Sequence, residues 1–353
     1  MSWFSIRQIR ALGAVITMCF AASAAFSPTT ANADENGISF WLPGIYGSLA
    51  SAPLNPGWSL ATVYYHTSVS ADGATAASRE IAIGRLNPAV NVNLNVNLHA
   101  DVDLALINPN YVFATPVLGG QLALGLTTVV GHNSTSLDGT LTTMSGPLVV
   151  MRSGNIDSSV SGFGDLFPQA SLRWNQGVHN FMTYLTGDIP VGAYDSTRLA
   201  NLGIGHGAID GGGGYTYFNP QTGQELSFVT GLTYNFKNYS TDYQSGVDWH
   251  LDWGAAQFLS KQFFVGVVGY LYDQVSADRG AVAFLGSNES RVAAAGPQIG
   301  YIFPLGDYQA FLGAKAYFEF DAFRRPEGWN TWLTFVISPV AQPAPVKSSA
   351  FRK

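Results

Sequence analysis

Three titratable residues with strand-like spacing are the first candidates for chemistry in this sequence. Asp248, His250 and Asp252 occupy alternate positions, so on a β-strand their side chains project from one face. A carboxylate beside an imidazole can orient a general base, and the set could also bind a metal loosely. However, any strand with a polar face gives this spacing, and neither a Gly-x-Ser-x-Gly elbow nor a His-Glu-x-x-His motif occurs. We therefore predict no catalytic residue, no metal site and no cofactor, with a hydrolase that uses one of the histidines as an alternative.

Alternation of apolar and polar residues predicts that these side chains lie on β-strands. The clearest run spans residues 90–106, where Val, Leu and Ala occupy every second position and Asn, His and Asp stand between them. A helix would scatter the polar residues around its surface, whereas a strand places all of them on one face. Shorter runs of the same kind occur at 225–237, 248–253 and 308–320. Most runs are long enough to cross a bilayer as tilted strands, which takes about 9–11 residues.

The composition favours a membrane barrel over a soluble β-protein. Charged residues make up 11% of the chain, about half the usual share of roughly 25% for a soluble domain, and aromatic residues make up 13%. No stretch after the N-terminal 33 residues is long and apolar enough for a transmembrane helix. Within lipid, only helices and closed barrels satisfy every backbone group, so we predict an all-β, transmembrane antiparallel β-barrel. The alternative is a soluble β-sandwich, whose outer face would be richer in charged residues.

Connections of alternating length predict the topology of the barrel. Short turn-like segments rich in Gly, Asn and Ser alternate with longer polar segments between residues 58 and 338. Outer-membrane barrels have short periplasmic turns and longer extracellular loops. We count about twelve strands, or fourteen if the segment 90–115 contains two short strands.

The N-terminus predicts the compartment. Arg7 and Arg10 precede an apolar run that ends at Phe26, and the small-residue site Ala31-Asn32-Ala33 follows. This pattern is typical of a signal peptide, here residues 1–33 with cleavage after Ala33. Together with the predicted barrel, it predicts the outer membrane of a Gram-negative bacterium.

The predicted mature chain has few options for charge or thiol chemistry. Cys19 is the only cysteine and lies within the predicted signal peptide, so the mature protein has no thiol for a disulfide or a metal. The net charge is -6 for the full chain and -8 without Arg7 and Arg10 of the predicted signal peptide. No large cluster of Lys or Arg occurs, which excludes a typical nucleic-acid partner. The expected partners of the predicted barrel are outer-membrane lipid and lipopolysaccharide.

An apolar segment at 34–57 precedes the first predicted strand. We predict that it folds into the lumen as a small plug, and a strand in the barrel wall is the alternative. Its apolar residues are the candidate substrate-binding group: Phe40, Trp41, Leu42, Ile45 and Tyr46. At the other end, residues 339–353 contain several prolines and are predicted to be a flexible periplasmic tail.

The polar faces of the strands line the lumen if the apolar faces contact lipid. This rule predicts the following lumen-lining residues: Asn93, Asn95, His99, Asp101, Asp103, Arg173, Asp188, Asp248, His250, Asp252, Lys315 and Glu319. Acids and bases are mixed in this set, so strong charge selectivity is not expected. These residues either line a translocation path or form a packed, hydrogen-bonded interior that stabilises the wall.

Several motifs resemble the outer-membrane proteins of the phenol-degradation meta-pathway family. They are Phe-Trp-Leu-Pro-Gly-Ile-Tyr-Gly-Ser (40–48), Pro-Gly-Trp-Ser (56–59), Tyr-Tyr-His (64–66), Ser-Gly-Phe-Gly-Asp-Leu (161–166), Gly-Asp-Ile-Pro-Val-Gly-Ala-Tyr-Asp (187–195) and the segment 234–246. The resemblance covers nearly the whole mature chain. It implies an outer-membrane barrel with a plugged lumen that takes up aromatic or other hydrophobic compounds, but it assigns no binding residues.

The sequence thus predicts a channel or transporter for passive uptake of small hydrophobic molecules. One alternative is a general diffusion porin, which would have an open, ion-conducting lumen. Another is a structural or adhesive barrel, whose activity would lie in the loops at 132–162 and 190–207.

Overall fold

The structure, a computed structural model, describes residues 39–72, 93–145, 148–280 and 289–340, apart from the side chains of 93–95, 141–145 and 148–152. The described residues all belong to one compact unit, Ala31–Lys353. The predicted signal peptide and all but the first two residues of the predicted tail lie outside the described residues.

Strands are the only regular secondary structure in the described part of the chain, which contains no helix long and apolar enough to cross a membrane. The strands are β1 (Gly57–Asp72), β2 (Asn93–Val112), β3 (Gln121–Ser145), β4 (Leu148–Gln176), β5 (His179–Asp188), β6 (Ala208–Asn219), β7 (Gln224–Asn235), β8 (Tyr243–Gln244), β9 (Asp248–Phe258), β10 (Phe263–Gln274), β11 (Arg279–Gly280), β12 (Arg291–Leu305), β13 (Tyr308–Phe323) and β14 (Glu327–Pro339).

Twelve of these strands form a closed antiparallel barrel among the described residues. Neighbours in the chain are neighbours in the wall, and β1 pairs with β14 from Leu60↔Ile337 to Ser70↔Glu327 to close it. The short strands β8 and β11 form a separate two-stranded ribbon. This architecture confirms the predicted barrel of twelve strands. Fourteen wall strands are excluded because residues 93–112 form one continuous strand.

The connections between barrel strands differ in length at the two ends of the barrel. Those at one end, where β1 starts and β14 ends, are 113–120, 177–178, 220–223, 259–262 and 306–307. Gly177 and Gly306 adopt φ angles of 70° and 59° in the two tightest turns, a conformation that glycine accepts without steric cost. The opposite end includes the longer connections 189–207, 236–247 and 275–290, of which 281–288 lie outside the described residues.

Burial alternates along β7 and shows which face points inward. Glu225, Ser227 and Thr233 are buried, whereas Phe228 and Leu232 on the opposite face are exposed. On β9, Asp248, His250 and Asp252 are likewise buried. In this part of the wall, polar side chains therefore face the interior and apolar side chains cover the outer surface, where they match a lipid environment.

The polar face of β2 points outward, which corrects the prediction that His99, Asp101 and Asp103 line the lumen. The exposed side-chain fractions of these three residues are 51%, 46% and 43%. Val96 and Leu98, on the alternate face, are 2% and 5% exposed. The prediction for these three residues is therefore wrong.

The length of β2, β3 and β4 explains this reversal. These strands contain 20, 25 and 29 residues, whereas about 9–11 are enough to cross a bilayer. Their far ends extend beyond the lipid, so their outer surface contacts water. Their inner face packs instead against the β5–β6 loop, where Val96, Leu98 and Leu137 cluster with Leu199. The rule that apolar side chains face outward thus applies only within the membrane.

Candidate functional site

Residues 39–56, here called the inner segment, lie inside the barrel and bind its inward-facing polar side chains. The Asp252 carboxylate accepts hydrogen bonds from the backbone N–H of Gly44 at 2.9 Å and of Tyr46 at 3.0 Å. The Lys315 ammonium donates to the carbonyl oxygens of Gly44 at 2.6 Å and Ile45 at 3.1 Å. The segment has no strand partner of its own, so these charged side chains satisfy backbone groups that would otherwise be buried unpaired.

Further hydrogen bonds attach the inner segment to the other side of the wall. The backbone N–H of Leu49 donates to Glu225 Oε1 at 2.8 Å. Leu54 and Gln121 form a reciprocal pair, in which Leu54 N donates to Gln121 Oε1 at 2.8 Å and Gln121 Nε2 donates to Leu54 O at 2.6 Å. The inner segment is thus held at several points around the lumen.

An aromatic cluster of Trp41, Tyr46 and Tyr184 connects the inner segment to β5. Its ring centroids are 5.9–6.0 Å apart, within the range of favourable aromatic pairs. Trp41 also stacks on His250, with centroids 3.6 Å apart and ring planes at 14°. The Nε2 atom of His250 lies 2.9 Å from Asp210 Oδ2, and both side chains are fully buried. The His250 ring, paired with Asp210, thus packs against one face of the Trp41 indole.

An upper cavity of about 130 Å³ opens near the long loops, above Trp41. Its apolar lining includes Trp41, Leu42, Pro43, Tyr65, Val69, Leu98, Ala100, Val102, Leu104, Leu202, Tyr270 and Pro326, and its polar lining includes Ser39, Thr67, Asn133, Thr135, Asn201, Glu319, Arg325 and Asn330. The indole N–H of Trp41 is buried and has no hydrogen-bond partner among the described residues. The cavity therefore combines mostly apolar walls with a few polar side chains.

A middle and a lower cavity continue towards the short turns. The middle cavity, about 170 Å³, is lined by Tyr46, Leu54, Asn108, Asn110, Ala123, Gln169, Ala170, Ser171, Arg173 and Tyr184. The lower cavity, about 320 Å³, is lined by Pro53, Phe113, Ala114, Pro116, Gly119, Gly120, Gln121, Arg173, Trp174 and Asn175. Arg173 lines both cavities and therefore lies at their junction.

Burial of Tyr46 affects the charge state of the middle cavity. Removal from water raises the pKa of the Tyr46 phenol to about 12, because burial disfavours the phenolate. At neutral pH the phenol is therefore uncharged and can donate a hydrogen bond.

The predicted substrate-binding residues lie in different cavities or in none. Leu42 lines the upper cavity with Trp41, and Tyr46 lines the middle cavity. Phe40 packs against Phe167 with ring centroids 5.7 Å apart, and Ile45 is 42% exposed. The five residues therefore do not form one pocket.

The predicted lumen residues also separate into groups. Those whose side chains face the interior are Arg173, Asp188, Asp248, His250, Asp252, Lys315 and Glu319. Glu319 accepts a hydrogen bond from Tyr270 at 2.7 Å beside the upper cavity. The side chains of Asn93 and Asn95 lie outside the described residues.

Sequence reasoning missed Tyr184, Gln121 and Asp210. On β5, Met182 and Tyr184 point inward while Thr183 points outward, so polarity gives no signal for the facing of the strand. Gln121 starts a strand, where no alternation has yet been established. Within the described residues, no group of three His, Cys, Asp or Glu side chains could hold a metal ion.

Residues 87–335, which make up more than half of the chain, match the family described as "Putative MetA-pathway of phenol degradation". The chain belongs to this family. No curated protein matches it. Membership confirms the resemblance found in the motifs.

One solved outer-membrane channel is similar in fold to this family member, and two further barrels match with lower scores. The COG4313 outer membrane channel from Pseudomonas putida F1 is 12% identical, with a TM-score of 0.54 over 81% of this chain and 97% of that chain. A FadL homologue from Pseudomonas aeruginosa is 11% identical, with a TM-score of 0.36 over 88% and 97%. The translocator domain of the autotransporter NalP from Neisseria meningitidis is 8% identical, with a TM-score of 0.34 over 82% and 90%. The closed barrel with its apolar outer surface is a fold of outer-membrane proteins, and the first of these similarities supports that fold.

Proposed function

We propose that this protein is a channel for the passive uptake of small hydrophobic or aromatic compounds across the outer membrane. The observation that carries this proposal is the inner segment, which lies between an apolar upper cavity and two cavities that lead towards the short turns. The proposal includes export by a signal peptide cleaved after Ala33 and contact of the outer surface with lipopolysaccharide.

One set of ring contacts and one shared residue arrange the cavities in a sequence. Trp41 lines the upper cavity and contacts Tyr46 and Tyr184, which line the middle cavity. Arg173 then lines both the middle and the lower cavity. A compound moving inward from the upper cavity would therefore pass the rings of Trp41, Tyr46 and Tyr184 before it reaches Arg173, and these rings suit an apolar solute.

The inner segment favours this function over a general diffusion porin. A porin conducts ions through a water-filled lumen. Here Asp252, Lys315 and Glu225 hold backbone groups across the lumen. Hydrogen bonds to charged groups each contribute about 1.5–3 kcal/mol, so the segment is held by several strong contacts.

Single-channel conductance tests the proposal. We expect the mature protein to be silent, or to conduct weakly, in a planar bilayer. A variant that lacks residues 34–56 should show a large and steady conductance, because it retains the barrel from Gly57 onward. Large steady conductance from the mature protein would instead indicate an open porin.

Replacing Trp41 tests the role of the upper cavity. Trp41→Ala removes an apolar wall of the upper cavity, so we expect phenol to bind at least fivefold more weakly by calorimetry. Trp329→Ala is the matched control, since this side chain is 42% exposed on the outer surface. Equal phenol affinity in the wild type, Trp41→Ala and Trp329→Ala would refute the role of Trp41.

A further inference from the structure

Arg173 is a cation at the junction of two cavities and has no acidic partner among the described residues. Its guanidinium donates to the Ser171 hydroxyl and, at 3.5 Å, to the Ala50 carbonyl oxygen. Its Nε atom is buried without a hydrogen-bond partner in the part of the chain that the structure describes. The hydrogen-bonding capacity of the guanidinium is therefore incompletely used.

No other charged side chain lines the middle or lower cavity among the described residues. The neighbouring Tyr46 does not supply a counter-charge, because burial raises the pKa of its phenol to about 12 and keeps it neutral. The positive charge of Arg173 consequently acts on both cavities without compensation.

The other interior cations differ from Arg173 in their surroundings. Lys315 donates to the backbone carbonyls of Gly44, Ile45 and Tyr46. The backbone N–H groups of Gly44 and Tyr46 in turn donate to Asp252, so acceptors and an acid surround this cation. Arg325 shares the upper cavity with Glu319. Burying an unpaired charge costs free energy unless a ligand or partner offsets it, so Arg173 is the interior cation that gains most from a bound anion.

We propose that Arg173 is an anion-recognition site, and that the compounds carried by this channel include small aromatic or short alkyl monocarboxylates. The planar fork of a guanidinium matches a carboxylate and forms charge-assisted hydrogen bonds with it. The aromatic rings of Tyr46 and Tyr184 line the same cavity and contact the apolar part of the ligand. This inference rests on the proposed uptake function and narrows its substrate class.

Paired ligands of the same shape test the charge preference. Sodium benzoate and neutral benzamide are titrated by calorimetry into the mature protein in a non-ionic detergent. We expect benzoate to bind at least tenfold more tightly. In Arg173→Gln, benzoate should lose this advantage while benzamide binds as before, and Arg173→Lys should retain part of it.

Two further variants distinguish loss of the anion site from misfolding of the Arg173→Gln protein. Gln169→Glu places an acid in the middle cavity while Arg173 is kept, and it should also abolish the preference for benzoate. Arg291→Gln is the matched control, because this guanidinium is 42% exposed and pairs with Asp321 at 3.2 Å. It should bind both ligands like the wild type.

The outcomes separate this inference from the proposed function. Equal binding of benzoate and benzamide to the wild type would overturn the anion site and leave the uptake function standing. The anion site would also be overturned if both Arg173→Gln and Gln169→Glu kept the preference. Absence of binding for benzoate, benzamide and phenol alike would contradict the uptake function itself.

Discussion

Asp252 shows how one side chain can control the interior. Its two carboxylate oxygens each accept one backbone N–H of the inner segment, at 2.9 and 3.0 Å. Both bonds are charge-assisted, so removing the charge should loosen the segment at Gly44 and Tyr46 while the barrel wall stays closed.

We therefore expect Asp252→Asn to conduct more often than the wild type. A loss of about 1.5–3 kcal/mol at one bond would raise the population of the released segment roughly tenfold or more. Open events in a planar bilayer measure this population. Asp101→Asn, on the outer face of β2, is the control and should behave like the wild type. Identical open probability in the two variants would contradict the role of Asp252.

At the residue scale, the sequence correctly predicted the facing of polar side chains on strands that have one polar and one apolar face. Asp248, His250 and Asp252 alternate with Trp and Leu on β9, and the structure places all three inside. Arg173 could be placed on an inner face in the same way, but its position between two cavities depends on contacts with Ala50 and Ser171. Tyr184 gave no signal, because its strand mixes polar and apolar residues on both faces.

At the scale of single strands, β6 makes room for the inner segment by means of glycine. A Cβ atom added at Gly214 would lie 2.6 Å from the Ser51 hydroxyl, which is too close for a real contact. Ser51 in turn donates its backbone N–H to Thr216 on the same strand at 3.0 Å. Gly214 thus permits close approach of the segment to the wall.

Gly214→Ala should accordingly displace the inner segment at Ser51 and increase conductance in a planar bilayer. Gly211→Ala is a matched control on the same strand, since its added Cβ would meet its nearest atom only at 3.6 Å. Both variants should keep the heat-dependent gel mobility of a folded barrel. Wild-type conductance of a folded Gly214→Ala protein would show that Ser51 adapts without moving the segment.

The long strands β2–β4 show where strand-scale prediction failed. The alternation at 90–106 correctly predicts a strand over its described part, 93–106, but its facing was assigned from the rule for lipid-exposed walls. Beyond the membrane, the loop that carries Leu199 covers the inner face and water covers the outer face. A single sequence does not show how far each strand extends past the lipid, so the rule was applied too widely.

At the scale of the whole molecule, closure between β1 and β14 removes the exposed edges of the sheet. In the closed barrel, the start of β1 and the end of β14 both lie on the side of the short turns. In outer-membrane barrels, short turns face the periplasm and long loops face the outside. The β2–β4 extension should therefore stand on the cell surface.

Cysteine labelling checks this orientation, because the predicted mature chain contains no cysteine. A membrane-impermeant maleimide should label Ser134→Cys on intact cells, since Ser134 is exposed on the outer face of β3. Asn133→Cys, at a position only 2% exposed on the inner face, should resist labelling. Asp307→Cys, in a short turn, should react only after the outer membrane is permeabilised. Labelling of Asp307→Cys alone on intact cells would reverse the orientation.

The amino-acid sequence by itself determined the fold class and the resemblance to the family, because these follow from local alternation, turn residues and motifs. It left twelve or fourteen strands open, and the structure decided for twelve because residues 93–112 form one continuous strand. Tertiary structure decided which face of β2 is internal, since that depends on the β5–β6 loop packed against it. It also decided the partners of the inner segment, such as Asp252 and Lys315, which lie more than 200 residues away in the chain. The junction at Arg173 depends on the same long-range packing, because only the closed barrel encloses cavities on both sides of this residue.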